Sequence, residues 1–312
     1  MEAERHPYRQ VDLRHGTAVD VQRIEYHEIA AIGRSVVGEA DDPPIGAVRV
    51  GVGAGARDEG DLAGGGGGGV LVAQRTRASE PPEPGVVVRV GGIAERGDEV
   101  RHWAQGNRAL VPAREPMTED TVFDAASLTK VVATLPSVML LVQSGRVELD
   151  APVQRYLREM ASPAITVRHL LTHTSGLPPG IPKDMSDPDW RGYEEGIRRA
   201  TACLPEPPPG HVFRYSDVNF ILLGEIVHRV SGQALDVFAR EKVFGPLGMK
   251  DTGFRPAAEL RPRVAPTERD EHGTMLRGDV HDPTARRMGG TAGHAGLFTT
   301  AADLARYARC IL

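Results

Sequence analysis

One apolar stretch constrains this chain more than any other, because it begins with the pattern Ser127-Leu128-Thr129-Lys130. The stretch continues to Val142 and meets Gly145, which predicts a buried helix that starts near the serine and stops at the glycine. Residues three apart share a helix face, so the serine and lysine side chains would point the same way. A serine hydroxyl needs a neighbouring base to act as a nucleophile, and a lysine in a dry pocket loses its proton more easily. The pattern therefore indicates a nucleophile with its base, or else an N-cap serine followed by an ordinary lysine.

Composition and charge exclude several functional classes. The chain has 312 residues, is 40% apolar and carries a net charge of −5 with dispersed Lys and Arg. We therefore expect a globular protein with neither a nucleic-acid surface nor a polybasic membrane anchor. No apolar run reaches the roughly 20 residues that a membrane helix needs, and residues 1–20 lack the apolar centre of a signal peptide. The sequence thus predicts a cytoplasmic protein without a membrane segment.

The first 82 residues differ from the rest of the chain. Six consecutive glycines occupy positions 64–69, and acidic residues and further glycines lie around them. A phosphate-binding loop would need a helix and, in a P-loop, a lysine after the glycines, so we do not expect one here. We predict that residues 1–82 form a Gly-rich, partly disordered segment, with a helix over 19–37 and short strands over 47–52 and 70–73.

Residues 83–312 have the pattern of a mixed α and β domain. Residues 86–90 and 99–104 favour two strands of a hairpin, with turns at Gly91-Gly92 and near Gly97. We predict helices over 217–231, with Ser216 or Asp217 as N-cap, over 234–243, and over 301–312 with Thr300 as N-cap. The segment from 251 to 288 reads mostly as loop.

Two histidines stand at the spacing of a helical zinc pair, His169 and His173. The glutamate that follows the first histidine in such zinc motifs is absent, because Leu170 stands there. We therefore expect no metal site and assign this pair to helix capping and packing near Ser175-Gly176.

Six segments in order resemble one family, the serine β-lactamase-related superfamily of class C β-lactamases, penicillin-binding DD-peptidases and related esterases. They are Ser127-Leu128-Thr129-Lys130, His169 to Leu177, Tyr215-Ser216-Asp217, Ser231-Gly232, Val243 to Met249 and Gly289 to Leu304. The block from residue 265 to 296 looks closest to a penicillin-binding-protein or esterase-like subgroup. The resemblance implies an α+β fold, in which an antiparallel sheet flanked by helices and an α-rich lobe enclose the site.

The resemblance also implies roles for four residues. Ser127 would be the nucleophile that forms an acyl-enzyme, and Lys130 its base or proton relay. Tyr215 would share the proton and pass it to the leaving group, unless it is only a buried tyrosine with a satisfied hydroxyl. Asp217 stands where the family usually has Asn, so it can pair with Lys130, keep it protonated, and favour Tyr215 as the base.

A further histidine, His294, lies in the triplet His294-Ala295-Gly296, which looks like the family's third motif. The residues that follow, from Leu297 to Leu304, fit an earlier element of the family. We therefore expect His294 to have a structural or pocket-rim role, orienting the substrate together with Asp217.

In the family the third motif lies on a later strand that also supplies one N–H of the oxyanion hole, and this chain ends at Leu312 before it. We expect a sheet without its last strands, which the Gly-rich N-terminal segment does not replace. The predicted function is that of a serine hydrolase acting on a small-molecule ester or a peptide or lactam amide, without metal or cofactor. The alternative is a non-catalytic pseudoenzyme or truncated remnant.

Overall fold

The structure is a computed structural model that describes residues 48–52, 69–74, 89–96, 99–182, 189–270 and 272–311. This part of the chain contains a five-stranded sheet, a three-stranded sheet and a set of helices. The predicted helix over residues 19–37 lies outside the described residues.

Seven α-helices are present in the described residues, and three of them exceed nine residues. They are α1 (Leu135–Gln143), α2 (Val167–Leu171), α3 (Tyr193–Ala202), α4 (Asp217–Ser231), α5 (Leu235–Ala239), α6 (Pro283–Arg287) and α7 (Ala301–Ile311). Wider π-helical turns, Lys130–Thr134 and Arg240–Phe244, precede α1 and follow α5. Short 3₁₀ turns are Val153–Arg155 and Arg261–Arg263.

The larger sheet is antiparallel, and its strands lie side by side in chain order. They are β1 (Val48–Val52), β2 (Gly69–Gln74), β3 (Arg89–Arg96), β4 (Glu99–Ala109) and β5 (Glu115–Pro116). Strands β3 and β4 form the predicted hairpin, with Arg96 opposite Glu99 beside the turn. The predicted turn at Gly91-Gly92 is wrong, because both glycines pair within the ladder of β3. Strands on either side of β3 hold these glycines extended, which outweighs their preference for turns.

Strands β1 and β2 extend this sheet from the N-terminal side. Val50 lies opposite Val72, and Val70 lies opposite Ile93 of β3. The short strands predicted over 47–52 and 70–73 are therefore confirmed, whereas the expectation that the Gly-rich segment does not supply strands in place of the missing ones is wrong. Helix α7 lies against β2 and β3. The domain boundary at residue 82 stays a prediction, and the sheet continues across that position.

Helix α4 is the centre of the helical lobe. Every residue from Val218 to Val227 is buried, as expected for a helix that is covered on all sides. It packs against α1, α2, α3 and α5. The loop that contains Gly293 crosses it so closely that a Cβ on this glycine would lie 1.9 Å from the carbonyl oxygen of Phe220. Only glycine permits this approach, which brings the next residue, His294, into the site.

The smaller sheet fixes the chain just before Ser127. It contains β6 (Phe123–Asp124), β7 (Gly253–Phe254) and β8 (Leu297–Thr299), with β8 in the middle. Asp124 lies opposite Phe298, and the Ala125 N–H donates to the Leu297 carbonyl at 2.8 Å. The ladder therefore continues to within two residues of the serine.

The predicted helix ends are confirmed. The Ser216 hydroxyl accepts from the Asn219 N–H at the start of α4, and Gly232 ends that helix in the left-handed conformation, with φ of 76°. The Thr300 hydroxyl accepts from the Asp303 N–H in the first turn of α7. His169 forms a capping box with Thr166 at the start of α2, so it caps a helix as predicted, but at Thr166 and not near Ser175-Gly176.

Among the described residues, no helix combines the length and the apolar character that crossing a lipid bilayer requires.

Candidate active site

Ser127 lies in a tight turn between β6 and the π-helical turn that begins at Lys130. The residue before it, Ala126, has a φ of 46°, a left-handed conformation that is uncommon for a residue with a Cβ. The buried Asp124 carboxylate holds this turn, because its Oδ1 accepts from the Ala126 N–H at 2.8 Å. The Thr129 hydroxyl donates to the Ala126 carbonyl at 2.7 Å and accepts from the Leu297 N–H at 3.1 Å. These contacts leave the Ser127 side chain exposed on a fixed turn.

Lys130 is fully buried beneath the serine, with 0% of its surface exposed. Its Nζ donates to Ser127 Oγ at 3.1 Å and to the His294 carbonyl oxygen at 3.2 Å. It also pairs with Asp217 Oδ1 at 2.7 Å. The three acceptors match the three donors of an ammonium group. The predicted proximity of Ser127 and Lys130 is confirmed, and the serine stands on the turn before the helix.

Tyr215 forms the opposite side of the site. The Lys130 Nζ lies 4.7 Å from the centre of its ring, within the range of a cation–π contact. The ring also packs on His173, with 4.6 Å between ring centres. His173 in turn contacts Phe220 of α4, with 5.2 Å between ring centres. The tyrosine is therefore positioned by an aromatic cluster.

His173 holds the backbone next to Tyr215. It is fully buried, and its Nδ1 accepts from the Ser216 N–H at 3.1 Å. An accepting Nδ1 carries no proton, so this contact requires the neutral ring. Burial, and then the nearby charge of Lys130, lower the pKa of His173 to about 4. The predicted packing role of His173 is thus confirmed, and the neutral ring is part of it.

His294 lies inside the protein, with 1% of its surface exposed. Its carbonyl binds Lys130, while its Nε2 lies 2.9 Å from Asp282 Oδ1. Asp282 also caps α6, accepting from the Ala285 N–H at 2.7 Å. Burial raises the pKa of Asp282, but His294 and the Ala285 N–H lower it more, so it lies well below the ordinary range. The structure brings His294 to the site beneath Lys130 and away from the surface.

Sequence reasoning missed three polar residues around this turn: Asp124, His281 and Asp282. The Asp124 carboxylate accepts from the His281 N–H at 2.9 Å and lies 3.2 Å from His281 Nδ1. Burial lowers the pKa of His281, but the hydrogen bond to Asp124 and the surrounding carboxylates raise it more, leaving it above its ordinary value. Only their positions in the sequence could have indicated these residues. Asp124 stands three residues before Ser127, and the pair His281-Asp282 lies in a block that resembles the family.

One group within the described residues offers the donor set of a metal site: Asp217, Asp282 and His294. Their ligand atoms lie within 4.8 Å of one another. However, Asp217 pairs with Lys130 and Asp282 binds His294. A cation would have to displace the lysine ammonium, so these residues do not fit a metal in this arrangement.

The Beta-lactamase family model matches residues 39–312 of the chain. The chain belongs to this family. The resemblance that six sequence segments indicated is confirmed.

Two curated relatives show the range of proteins that the chain is similar to. Esterase EstB from Burkholderia gladioli is 33% identical over 262 residues, which cover 72% of this chain and 65% of that protein. A putative D-alanyl-D-alanine carboxypeptidase from Escherichia coli is 33% identical over 223 residues, which cover 60% of this chain and 50% of that protein. The chain thus spans half to about two thirds of the length of these relatives.

A solved structure confirms the predicted α+β fold. The penicillin binding protein from Bacillus halodurans matches with a TM-score of 0.55 and 26% sequence identity. The match covers 69% of this chain and 67% of that one.

Proposed function

We propose that this chain is a serine hydrolase that forms an acyl-enzyme on Ser127 from a small-molecule ester or a peptide or lactam amide. One observation carries the proposal: the fully buried Lys130 Nζ lies 3.1 Å from the exposed Ser127 Oγ. An ordinary lysine lies at the surface, because burying its charge costs free energy unless the charge is paired. Here the ammonium group is buried and hydrogen-bonded to an exposed serine hydroxyl, which a surface lysine would not be. The similarity to an esterase and to a putative carboxypeptidase supports both substrate classes.

The reaction has two acyl-transfer steps. In the first, Ser127 Oγ bonds to the substrate carbonyl carbon, and the bond from that carbon to the leaving oxygen or nitrogen breaks. The serine proton passes through the Lys130–Tyr215 pair to the leaving group. In the second, a water oxygen bonds to the same carbon, the carbon–Oγ bond breaks, and a proton of the water returns to Ser127.

Asp217 determines which of the two residues, Lys130 or Tyr215, accepts the serine proton. The carboxylate lies 2.7 Å from Lys130 Nζ and forms an ion pair with the ammonium group. An ammonium group has no lone pair, so it cannot accept the serine proton. Tyr215, with its ring beside Nζ, then takes the serine proton while its own phenol proton passes to the leaving group, and Lys130 stabilises the negative charge that develops on Ser127 Oγ.

The backbone at the serine supplies one donor for the developing oxyanion. Within the described part of the chain, the Ser127 N–H has no hydrogen-bond acceptor. It precedes a helical turn, where backbone N–H groups remain available to ligands. Such a donor contributes roughly 10²–10³ in rate in other acyl-transfer enzymes.

The test uses a p-nitrophenyl butyrate assay and a fluorescent penicillin with the wild-type chain, Ser127→Ala and Ser144→Ala. Ser144 is a matched control, because it is an exposed serine at the other end of the same helix. We expect turnover or labelling with the wild type and Ser144→Ala and neither with Ser127→Ala. A folded wild-type protein that neither turns over the ester nor becomes labelled would favour the non-catalytic alternative.

A further inference from the structure

Two consecutive residues, His281 and Asp282, reach the two ends of the Ser127–Lys130 turn. Neither has a part in the acyl-transfer steps described above. The His281 N–H and the two side chains nevertheless bind Asp124 and His294, the residues that hold the backbone before Ser127 and the ammonium of Lys130. The Arg286 guanidinium fixes this dipeptide from α6, donating to the Val280 and His281 carbonyls at 3.0 and 3.2 Å.

At the serine end, His281 acts on Asp124. The His281 N–H and Nδ1 lie 2.9 and 3.2 Å from Asp124 Oδ2. The other oxygen of Asp124 accepts from the Ala126 N–H, directly before Ser127. Asp124 has 0% of its surface exposed, so water cannot replace these donors without a change in structure. The left-handed backbone of Ala126 is therefore held by a carboxylate that His281 orients.

At the lysine end, Asp282 acts on His294. Its Oδ1 lies 2.9 Å from His294 Nε2, and the His294 carbonyl accepts from Lys130 Nζ at 3.2 Å. The preceding carbonyl, of Gly293, accepts from the Thr134 hydroxyl at 2.7 Å. The peptide that receives the lysine is thus fixed by the His294 imidazole on one side and by the π-helical turn on the other.

We propose that His281 and Asp282 together are a positioning clamp, which sets the alignment of Ser127 Oγ with Lys130 Nζ from both ends of the turn. This proposal rests on the proposed function, because alignment of these atoms affects rate only in a chain that uses them. Since the two residues are neighbours in sequence, the serine backbone and the lysine acceptor are tied to one short segment. A misplacement of about 1 Å in a reacting group can lower a rate roughly 10²-fold, so the clamp affects kcat more than KM.

The kinetic test compares Asp282→Ala with Asp282→Asn. The asparagine keeps an oxygen that can accept from both Ala285 and His294, whereas alanine removes both contacts. We expect Asp282→Ala to lower kcat roughly ten- to a hundredfold with KM within about twofold of wild type, and Asp282→Asn to restore most of kcat.

Thr166→Ala is the matched control. Thr166 caps α2 as Asp282 caps α6, both helices have five residues, and Thr166 contacts neither Ser127 nor Lys130. We expect Thr166→Ala to lower the unfolding temperature by a similar amount and to keep the wild-type kcat. A kcat of Asp282→Ala that equals that of Thr166→Ala would overturn the clamp.

Crystal structures of the wild type and Asp282→Ala separate failure of the clamp from failure of the proposed function. If the wild type shows no Ser127-dependent turnover, the proposed function fails, and the clamp is judged on these structures alone. The clamp predicts that Lys130 Nζ in the variant leaves hydrogen-bonding distance of the His294 carbonyl and of Ser127 Oγ. Unchanged distances in the variant would overturn it.

Discussion

The two sides of the active site are stabilised by different forces. The serine side, residues 123–130, is held by hydrogen bonds to the buried Asp124 carboxylate and by the ion pair of Lys130 with Asp217. The tyrosine side, residues 213–220, is held by aromatic packing on a neutral, fully buried His173. Both sides present one proton-carrying group to the cleft between them.

The difference follows from what each side must hold. The serine side fixes a left-handed backbone turn and a buried ammonium, and only charged or strongly polar partners compensate for burying these groups. The tyrosine side positions an aromatic ring, for which apolar contacts suffice. We therefore expect activity to fall when the serine side loses a charge, and stability to fall when the tyrosine side gains one.

The largest effect is expected for Lys130→Met, which removes the charge of the serine side and keeps a side chain of similar length. Activity should fall roughly 10³-fold, because the positive charge that stabilises Ser127 Oγ as it loses its proton is removed. Ester hydrolysis measures this, with Lys250→Met as the control, since Lys250 is an exposed lysine. Loss of activity in both variants would mean that the effect is not specific to the site.

The next effect concerns the charge of His173. Its pKa is lowered to about 4, so the unfolded chain takes up a proton near pH 6.5, before the folded one does. The stability that this histidine contributes is present above pH 6.5 and is lost as the pH falls towards 4, by up to about 3 kcal/mol. Urea unfolding between pH 8 and 4 tests this in wild type, His173→Gln and the exposed control His211→Gln. Equal pH slopes in wild type and His173→Gln would contradict it.

A smaller effect is expected for Tyr215→Phe, which keeps the ring on His173 and removes the hydroxyl. We expect kcat to fall roughly 10²-fold without a change in the unfolding temperature. The same substitution should cost less in an Asp217→Asn background, because Lys130 is then not held in an ion pair and can act as the base in place of Tyr215. Equal costs in the two backgrounds would show that Asp217 does not determine which residue is the base.

The smallest effect is expected for the pH dependence that His281 adds on the serine side. Since the pKa of His281 is raised in the folded chain, its stabilising contribution is fully present below pH 6.5 and is lost as the pH rises past that raised value. The difference in unfolding free energy between wild type and His281→Gln should therefore shrink from pH 6 to pH 9. A difference that grows over this range would contradict the ion pair with Asp124.

The sequence predicted those parts of the fold and site that depend on local pattern. The Ser216 and Thr300 caps, the capping role of His169 and the proximity of Ser127 to Lys130 all follow from short spacings. The hairpin of β3 and β4 followed from a valine-rich run and a turn signal near Gly97, although Gly91-Gly92 misled the assignment of a second turn. In each case the partners are close in sequence.

Contacts between distant segments could not be predicted in this way. Asp124 and His281 are 157 positions apart, and Lys130 and His294 are 164 positions apart. No spacing rule connects such residues, and a buried aspartate has the same sequence signature as an exposed one. The pairing of β1 and β2 with the sheet is similar, because it depends on strand partners and not on the glycines between them.

Covalent labelling of the nucleophile tests the central claim most directly. A fluorophosphonate probe reacts with activated serines, and peptide mapping by mass spectrometry locates the adduct. We predict a single adduct on the peptide that contains Ser127, absent in Ser127→Ala and formed far more slowly in Lys130→Met, with unchanged circular dichroism in both variants. An adduct on another residue, or equal labelling of the wild type and Lys130→Met, would contradict the claim that Ser127 is a nucleophile activated by the buried Lys130.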